Sequence, residues 1–300
     1  MRILITGSNG LLGQKLVALF RDDKEVELLA TSRGADRTPR GLEERYAAMN
    51  ITKVAEVDRV IGNFRPEVVI HTAAMTNVDA CELDPDACRL QNVEATRYLV
   101  EASERVGAHF IHLSTDFIFD GENGPYSETD EPGPLSVYGQ SKLDSEEIVR
   151  NSGLERWSIV RTIIVYGIAK GLSRSNVVLW AKGALEKGDP IRVVDDQFRM
   201  PTLAEDLAWA CRQIARVGAN GVFHVSGPDL MSILELVHRV AAFFELDPTP
   251  VSPVKSASLG QPAARPPRTG FILDKARREL GYAPRSFEEG LALLASQLDD

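Results

Sequence analysis

The feature that most constrains this chain stands at its start. A short apolar run, Arg2-Ile3-Leu4-Ile5-Thr6, leads directly into Gly7-Ser8-Asn9-Gly10-Leu11-Leu12-Gly13. The spacing is G-x-x-G-x-x-G between a strand candidate and a helix candidate. Glycine there permits a tight turn and close approach of backbone to a pyrophosphate. The following helix start offers free N–H groups and the positive end of its dipole. Gly13 would let that helix lie close against the strand. The motif is weak alone, but strand before and helix after is the context it requires. No G-K-[ST] follows, so a nucleotide-hydrolysing P-loop is excluded.

The rest of the chain agrees with this opening. Strand candidates Arg2–Thr6, Val26–Thr31, Arg45–Met49, Glu67–His71, Ala108–Ser114 and Trp157–Thr162 are short and rich in Val, Ile and Leu. Such strands are buried on both faces. Helix candidates Leu11–Arg21, Lys53–Phe64, Asp84–Val106 and Val137–Asn151 lie between them. Asp84-Pro85 opens the third with a capping residue and a proline at the first helical position. The alternation predicts an α/β fold, a Rossmann-type doubly wound parallel sheet with helices on both faces.

The second half is less regular. Helices are expected at Ser175–Lys187, Thr202–Val217, Ser232–Glu245, Asp274–Leu280 and Ser286–Gln297, and strands at Ile191–Val194 and Val222–Val225. Asp247–Pro267, rich in proline and serine, is expected to be an ordered but irregular loop. We therefore expect a dinucleotide-binding domain over residues 1–165. A smaller, interleaved, mainly substrate-binding region spans 166–300, with about 202–225 returning to the first domain.

At 300 residues the chain can bury a large core without disulfides or metals. Its net charge of −9 argues against general binding to nucleic acid or anionic membranes. The three cysteines, Cys81, Cys88 and Cys211, form no C-x-x-C, and read as reduced core thiols of a cytoplasmic protein. No metal site is expected. His71, His109, His112 and His224 lie on or at the ends of strands, where core histidines outnumber ligands. Asp195 and Asp196 read as loop capping groups, and Asp299-Asp300 as a solvated tail.

Three stretches carry candidate chemistry. The second strand ends Ala30-Thr31-Ser32-Arg33, where an acidic residue would bind both ribose hydroxyls of NAD. Ser32 and Arg33 suit a 2′-phosphate instead, so NADP(H) is preferred and NAD(H) stays open. Tyr138 and Lys142 are spaced i, i+4 and share one helix face. A neighbouring ammonium favours the phenolate, so Lys142 is expected to lower the Tyr138 pKa. Upstream, Leu113-Ser114-Thr115-Asp116 ends the fifth strand and puts hydroxyls at the carboxyl edge of the sheet, where ligands of such folds sit.

Together these stretches resemble the short-chain dehydrogenases/reductases of the extended type. Within that group the chain is most similar to the dTDP-4-dehydrorhamnose reductase-like subfamily, over nearly its whole length. The resemblance runs through Gly7–Gly13, His71–Asp79, Ser114–Gly121, Tyr138–Lys142, Val160–Thr162, Asp196–Thr202 and Ala264–Pro266. Asp196-Gln197-x-x-x-Pro201-Thr202 and Arg265-Pro266 are its more specific parts.

The resemblance implies NADP(H)-dependent reduction of the 4-keto group of a nucleotide-linked deoxy sugar. Thr115 would hydrogen-bond the substrate carbonyl, Tyr138 would protonate its oxygen, and Lys142 would hold the nicotinamide ribose. Gly7 to Gly13, Ser32, Arg33, Ala73, Ala74 and Thr76 would line the cofactor. Asn92 would take a structural or proton-relay role. Thr76, Thr115, Asp116, Phe117, Ile164, Asn176, Arg199 and Arg265 would meet the substrate. Two positions depart from the family: Phe117 replaces its tyrosine and Ile164 its tryptophan, which changes the sugar site more than the chemistry.

Two further functions belong to similar proteins. One is epimerase or dehydratase action on another nucleotide-sugar. The other is a non-catalytic, NADP-binding regulatory role beside methionine adenosyltransferase. A homodimer through the helices of Asp84–Val106 and Val137–Asn151 is also expected.

Overall fold

The computed structural model describes residues 1–37, 45–172 and 175–298. The tail read at Asp299-Asp300 lies outside the described residues. The chain runs β1 (Arg2–Thr6), α1 (Leu11–Arg21), β2 (Glu27–Ser32), β3 (Tyr46–Ala48), α2 (Val54–Phe64) and β4 (Val68–His71). It continues with α3 (Val78–Leu83), α4 (Pro85–Arg89), a π-helical turn (Leu90–Glu94), α5 (Ala95–Val106), β5 (His109–Thr115), α6 (Val137–Arg150) and β6 (Trp157–Thr162). Then come β7 (Val165–Tyr166), α7 (Val177–Lys187), β8 (Ile191–Val194), β9 (Phe198–Arg199), β10 (Thr202–Leu203), α8 (Ala204–Val217) and β11 (Gly221–His224). The chain closes with β12 (Met231–Ser232), α9 (Ile233–Phe243), β13 (Val251–Val254), α10 (Asp274–Leu280) and α11 (Phe287–Leu298).

Seven strands form one parallel sheet in the order β3-β2-β1-β4-β5-β6-β11. The order reverses between β1 and β4, and this switch point is where doubly wound sheets bind ligands. Successive residues of β1 serve opposite cores, as period-two alternation requires. Ile3 and Ile5 pack with Leu16 and Phe20 of α1 and with Leu207 and Ile214 of α8. Leu4 packs on the other face with Val57 and Ile61 of α2 and Leu99 of α5. Leu16 and Phe20, spaced i, i+4, are fully buried, and each contributes roughly 1.5–3 kcal/mol by leaving water. A third core gathers Tyr166, Val178, Leu236, Leu291 and their neighbours in the second half.

Most expected elements stand within two residues of their sequence bounds. The helix expected from Asp84 to Val106 differs in two ways. A separate helix, α3, precedes it, capped by Asn77 on the Ala80 N–H. Asp84 then caps α4 through the Ala87 N–H, with Pro85 first in the helix. The run to Val106 is interrupted by the π turn around Asn92.

The Asp247–Pro267 segment is not wholly irregular either: β13 pairs in parallel with β8, though it contains Pro253. An edge strand tolerates a proline whose missing N–H faces away from the ladder. Thr202 and Leu203 form β10 rather than the first turn of α8. Among the described residues, no helix is long and apolar enough to cross a membrane. All three cysteines are buried free thiols.

Candidate active site

The glycine turn sits at the carboxyl end of β1. Gly7 has φ +69°, a left-handed conformation that L side chains rarely adopt, and a Cβ there would meet the Ala73 backbone N at 2.8 Å. A Cβ on Gly13 would lie 2.2 Å from the Gly7 carbonyl oxygen. The turn therefore packs backbone on backbone against the β4 exit and leaves the α1 N-terminus open. Gly10 caps α1 without a side-chain partner, and no acidic residue occupies the first turn. The Ser8 hydroxyl is buried without a hydrogen-bond partner. A cradle closed to side chains, an uncapped helix start and an orphan hydroxyl fit a bound pyrophosphate.

Asn9 holds the neighbouring loop by donating to the Ala35 carbonyl and accepting from the Arg37 N–H. Ser32 is half-buried and Arg33 exposed at the end of β2. Ala73 and Ala74 are half-buried beside the turn, and Thr76 is exposed.

At the carboxyl end of β5 lie Thr115 and Asp116, both buried. The Thr115 hydroxyl donates to Asp116 Oδ1 at 3.1 Å and accepts from the Phe117 N–H at 3.3 Å. The Tyr138 phenol lies beside it, near enough for the hydroxyl to lower its pKa. Burial pushes the Asp116 carboxyl up, against Arg199, Thr269 and Thr115, which hold it down. The Tyr138 phenol is pushed above its ordinary value, first by burial and then by the nearby Asp116 carboxylate, while the Thr115 hydroxyl lowers it. This is opposite to the direction expected from Lys142. The reason is geometric: the Lys142 ammonium points to His112 Nε2, 3.1 Å away on β5. Burial lowers Lys142 to about 8, against the pull of Glu146 and Cys88.

Helix α6 presents Tyr138, Lys142 and Glu146 at i, i+4 and i+8, all buried. Glu146 accepts from Arg161 Nε at 3.0 Å and Nη2 at 2.8 Å, a bidentate pair beneath the site. Burial raises this carboxyl, but Arg161 and Ser114 bring it below its usual range. The same spacing that marks Tyr138 and Lys142 puts Glu146 on their face, and could have singled it out from the sequence. Ser136 caps the helix through the Gly139 N–H.

Asn92 lies in the π turn, a local form that recurs at functional sites. Its side chain accepts from the Met75 N–H at 2.8 Å and donates to the Met75 carbonyl at 3.1 Å and to Ser141 Oγ at 2.9 Å. It thereby ties the chain entering Thr76 to α6.

The remaining expected substrate residues are not all free to meet a ligand. The Phe117 ring packs edge-on to Tyr138, 5.8 Å between centroids. Ile164 has φ +30°, a strained value for a β-branched residue, next to β7. Asn176 caps α7 on the Leu179 N–H and donates to the Gly167 carbonyl. Arg199 is fully buried, donates to the Phe198 and Pro266 carbonyls, and lies 3.5 Å from Asp116 Oδ2. Arg265 pairs with Asp79 at 2.7 Å and so fastens the segment after β13 to α3.

The comparisons with known proteins agree with this geometry. A family model described as "RmlD substrate binding domain" matches residues 1–299. Methionine adenosyltransferase 2 subunit beta of Pongo abelii is 32% identical over 291 residues, 95% of this chain and 84% of that protein. The probable low-salt glycan biosynthesis reductase Agl14 of Haloferax volcanii is 30% identical over 303 residues, 100% of this chain and 99% of that protein. The crystal structure of a dTDP-4-dehydrorhamnose reductase from Clostridium acetobutylicum is similar with TM-score 0.87 and 29% identity, covering 100% of both chains. That of Bacillus anthracis, in complex with NADP, gives TM-score 0.82 and 28% identity over 99% of both chains. The chain belongs to the RmlD substrate binding domain family and shares the fold of the dTDP-4-dehydrorhamnose reductases and related extended short-chain dehydrogenase/reductase enzymes.

Proposed function

We propose that this chain is an NADP(H)-dependent reductase of the 4-keto group of a nucleotide-linked deoxy sugar. The observation that carries the reading is the buried Thr115–Tyr138 pair at the carboxyl edge of the sheet, on the same edge as the glycine cradle. The similar B. anthracis reductase with NADP supports the choice of cofactor, as do Ser32 and Arg33. Gly7 to Gly13, Ser32, Arg33, Ala73, Ala74 and Thr76 would hold it, with Tyr138 and Lys142 at its nicotinamide end. When bound, the nicotinamide supplies a hydride to the substrate carbonyl carbon.

The chain's own part is proton supply and placement. Burial keeps the Tyr138 phenol protonated at neutral pH. The carbonyl oxygen becomes an alkoxide, a stronger base than phenolate, so transfer from Tyr138 to it is downhill. The reverse reaction would draw its proton acceptor from the same group, as the phenolate. Thr115, beside Tyr138, would orient the carbonyl oxygen. Asp116, Phe117, Ile164, Asn176, Arg199 and Arg265, with Thr76, would shape the sugar-nucleotide site. Phe117 and Ile164 make that site more apolar than the family pattern.

A second reading has its own support. The similarity to methionine adenosyltransferase 2 subunit beta favours a non-catalytic, NADP-binding regulatory role. A stable heteromeric partner recovered by pull-down, with no turnover on keto-sugar nucleotides, would establish it. Nucleotide-sugar epimerases and dehydratases share the fold, and tightly bound NAD co-purifying with the protein would favour them. A homodimer through the helices of Asp84–Val106 and Val137–Asn151 would be rejected by a monomeric mass in light scattering at micromolar concentration. Loss of a keto-sugar nucleotide together with NADPH, abolished by Tyr138→Phe, tests the reductase reading itself.

A further inference from the structure

A row of buried polar side chains crosses the centre of the sheet. Thr6 of β1, His71 of β4 and His112 of β5 are register neighbours on adjacent strands. Thr6 Oγ1 lies 2.8 Å from His71 Nδ1, the two imidazole centroids are 5.4 Å apart, and Lys142 Nζ lies 3.1 Å from His112 Nε2. None of the four is more than 3% exposed. The row joins the residue before the glycine turn to the helix that carries Tyr138.

His112 holds a lysine that has no other side-chain hydrogen bond among the described residues. Glu146, one turn further along α6, is engaged by Arg161. Nε2 of His112 has a second neighbour, Ser145 Oγ, at 3.0 Å. That hydroxyl has one proton, and it is donated to the Lys142 carbonyl at 2.7 Å. Ser145 therefore offers Nε2 a lone pair, whereas the ammonium offers only N–H donors. One nitrogen cannot answer both. An Nε2–H would serve Ser145 but would point a proton at a buried cation. An Nε2 lone pair gives the cation a charge-assisted bond, roughly twice as strong as a neutral one, and Nδ1 is buried without a partner in either tautomer.

We propose that His112 is a positioning residue for Lys142, held as the Nδ1-protonated tautomer so that the Nε2 lone pair anchors the ammonium under the site. For its functional meaning the inference rests on the reductase reading, in which Lys142 takes part. The anchor uses one of the three ammonium N–H bonds and leaves two for a ligand. A carboxylate in this place would neutralise the lysine, but an imidazole holds it without doing so. Burial, then Lys142, then His71 keep His112 neutral, well below its ordinary range. The ionisable groups that face Lys142 are His112 from β5, His71 from β4, Cys88 from α4 and Glu146 on its own helix. An acceptor for the charged form raises a lysine pKa, so removing it moves the Lys142 titration downward.

The test is NMR on the whole protein, with activity as a separate readout. Long-range proton–nitrogen correlation on histidine-labelled protein reads the His112 tautomer, and side-chain signals follow the Lys142 titration. We expect an Nδ1–H pattern. In His112→Phe, which keeps an aromatic ring against Phe110 and lacks the acceptor, the Lys142 midpoint should fall from about 8 by about one pH unit. His112→Gln, which restores an acceptor, should recover most of that shift. The pH at which NADPH affinity is half-lost should move with the lysine. An Nε2–H pattern, or a Lys142 midpoint equal in wild type and His112→Phe, would overturn the proposal. If His112→Phe does not fold, the wild-type tautomer and the His112→Gln titration still decide it. A wild type that reduces no keto sugar while showing both NMR results refutes the reductase reading and leaves the anchor standing.

Discussion

Glycine to alanine is one chemical change, yet the structure predicts opposite outcomes at three helical positions. Alanine is favoured over glycine in a helix interior by about 1 kcal/mol. At Gly62 in α2 and Gly183 in α7, an added Cβ meets nothing within 4 Å. Gly62→Ala and Gly183→Ala should each stabilise the protein by about that amount, or about 2 °C in Tm. At Gly13 in α1 the added Cβ would sit 2.2 Å from the Gly7 carbonyl oxygen and 2.7 Å from Ser8 Cα. Both are backbone atoms of the turn, so no side chain can swing aside. Helix and turn must separate by roughly 1 Å, and overpacking of this kind costs about 1–3 kcal/mol. That outweighs the propensity gain and opens the cradle. Gly13→Ala should lower Tm and weaken NADPH binding at least about tenfold, which is about 1.4 kcal/mol. Thermal unfolding and fluorescence titration measure both. A Gly13→Ala protein as stable as Gly183→Ala that binds NADPH like the wild type would refute the argument.

Three other perturbations follow from buried groups. Glu146→Gln leaves the buried Arg161 without its counter-charge and should destabilise by about 3–5 kcal/mol in urea unfolding; under about 1 kcal/mol would contradict the paired geometry. His71 and His109 are buried, and burial first of all lowers them to about 3 and about 4. Because these folded-state values lie below the unfolded one, the unfolded chain binds the extra protons. Stability should therefore be complete above about pH 6.5 and fall by about 1.4 kcal/mol per pH unit for each histidine as pH drops towards 4. A urea midpoint unchanged between pH 6.5 and 5 would contradict this. Asn92→Ala removes three hydrogen bonds that join Met75 to α6. It should cost about 1–3 kcal/mol and, in the proposed reductase, lower turnover by loosening α6; stability loss with unchanged turnover would confine Asn92 to the fold.

The parallel sheet was legible because its strands are buried on both faces and its helices carry an apolar stripe. The bounds of β1, β6 and α1 stand where the apolar pattern places them. The two-residue strands β7, β9, β10 and β12 were not legible, since a pair of residues has no period to read. The π turn was hidden for a related reason: one extra residue leaves the helical stripe nearly intact. The Tyr138–Lys142 face and the hydroxyl at the end of β5 could be read from spacing. The direction of the Tyr138 shift could not, because it depends on where the Lys142 ammonium points. Arg161 stood in the sequence only within the Val160–Thr162 stretch of the resemblance, yet it forms a buried pair with Glu146, fifteen positions earlier. Arg199 and Asp116 lie 83 positions apart and meet only in the folded chain.

The central claim is that Tyr138 supplies the proton for a carbonyl reduction. The most direct measurement follows NADPH oxidation with dTDP-4-keto-6-deoxy-L-mannose generated in situ, for wild type and Tyr138→Phe. The account predicts turnover by the wild type and a loss of about 100- to 10,000-fold in the variant, with NADPH binding retained. Wild-type protein that binds NADPH without turning over this or any related keto-sugar nucleotide would contradict it, as would a Tyr138→Phe protein as active as the wild type.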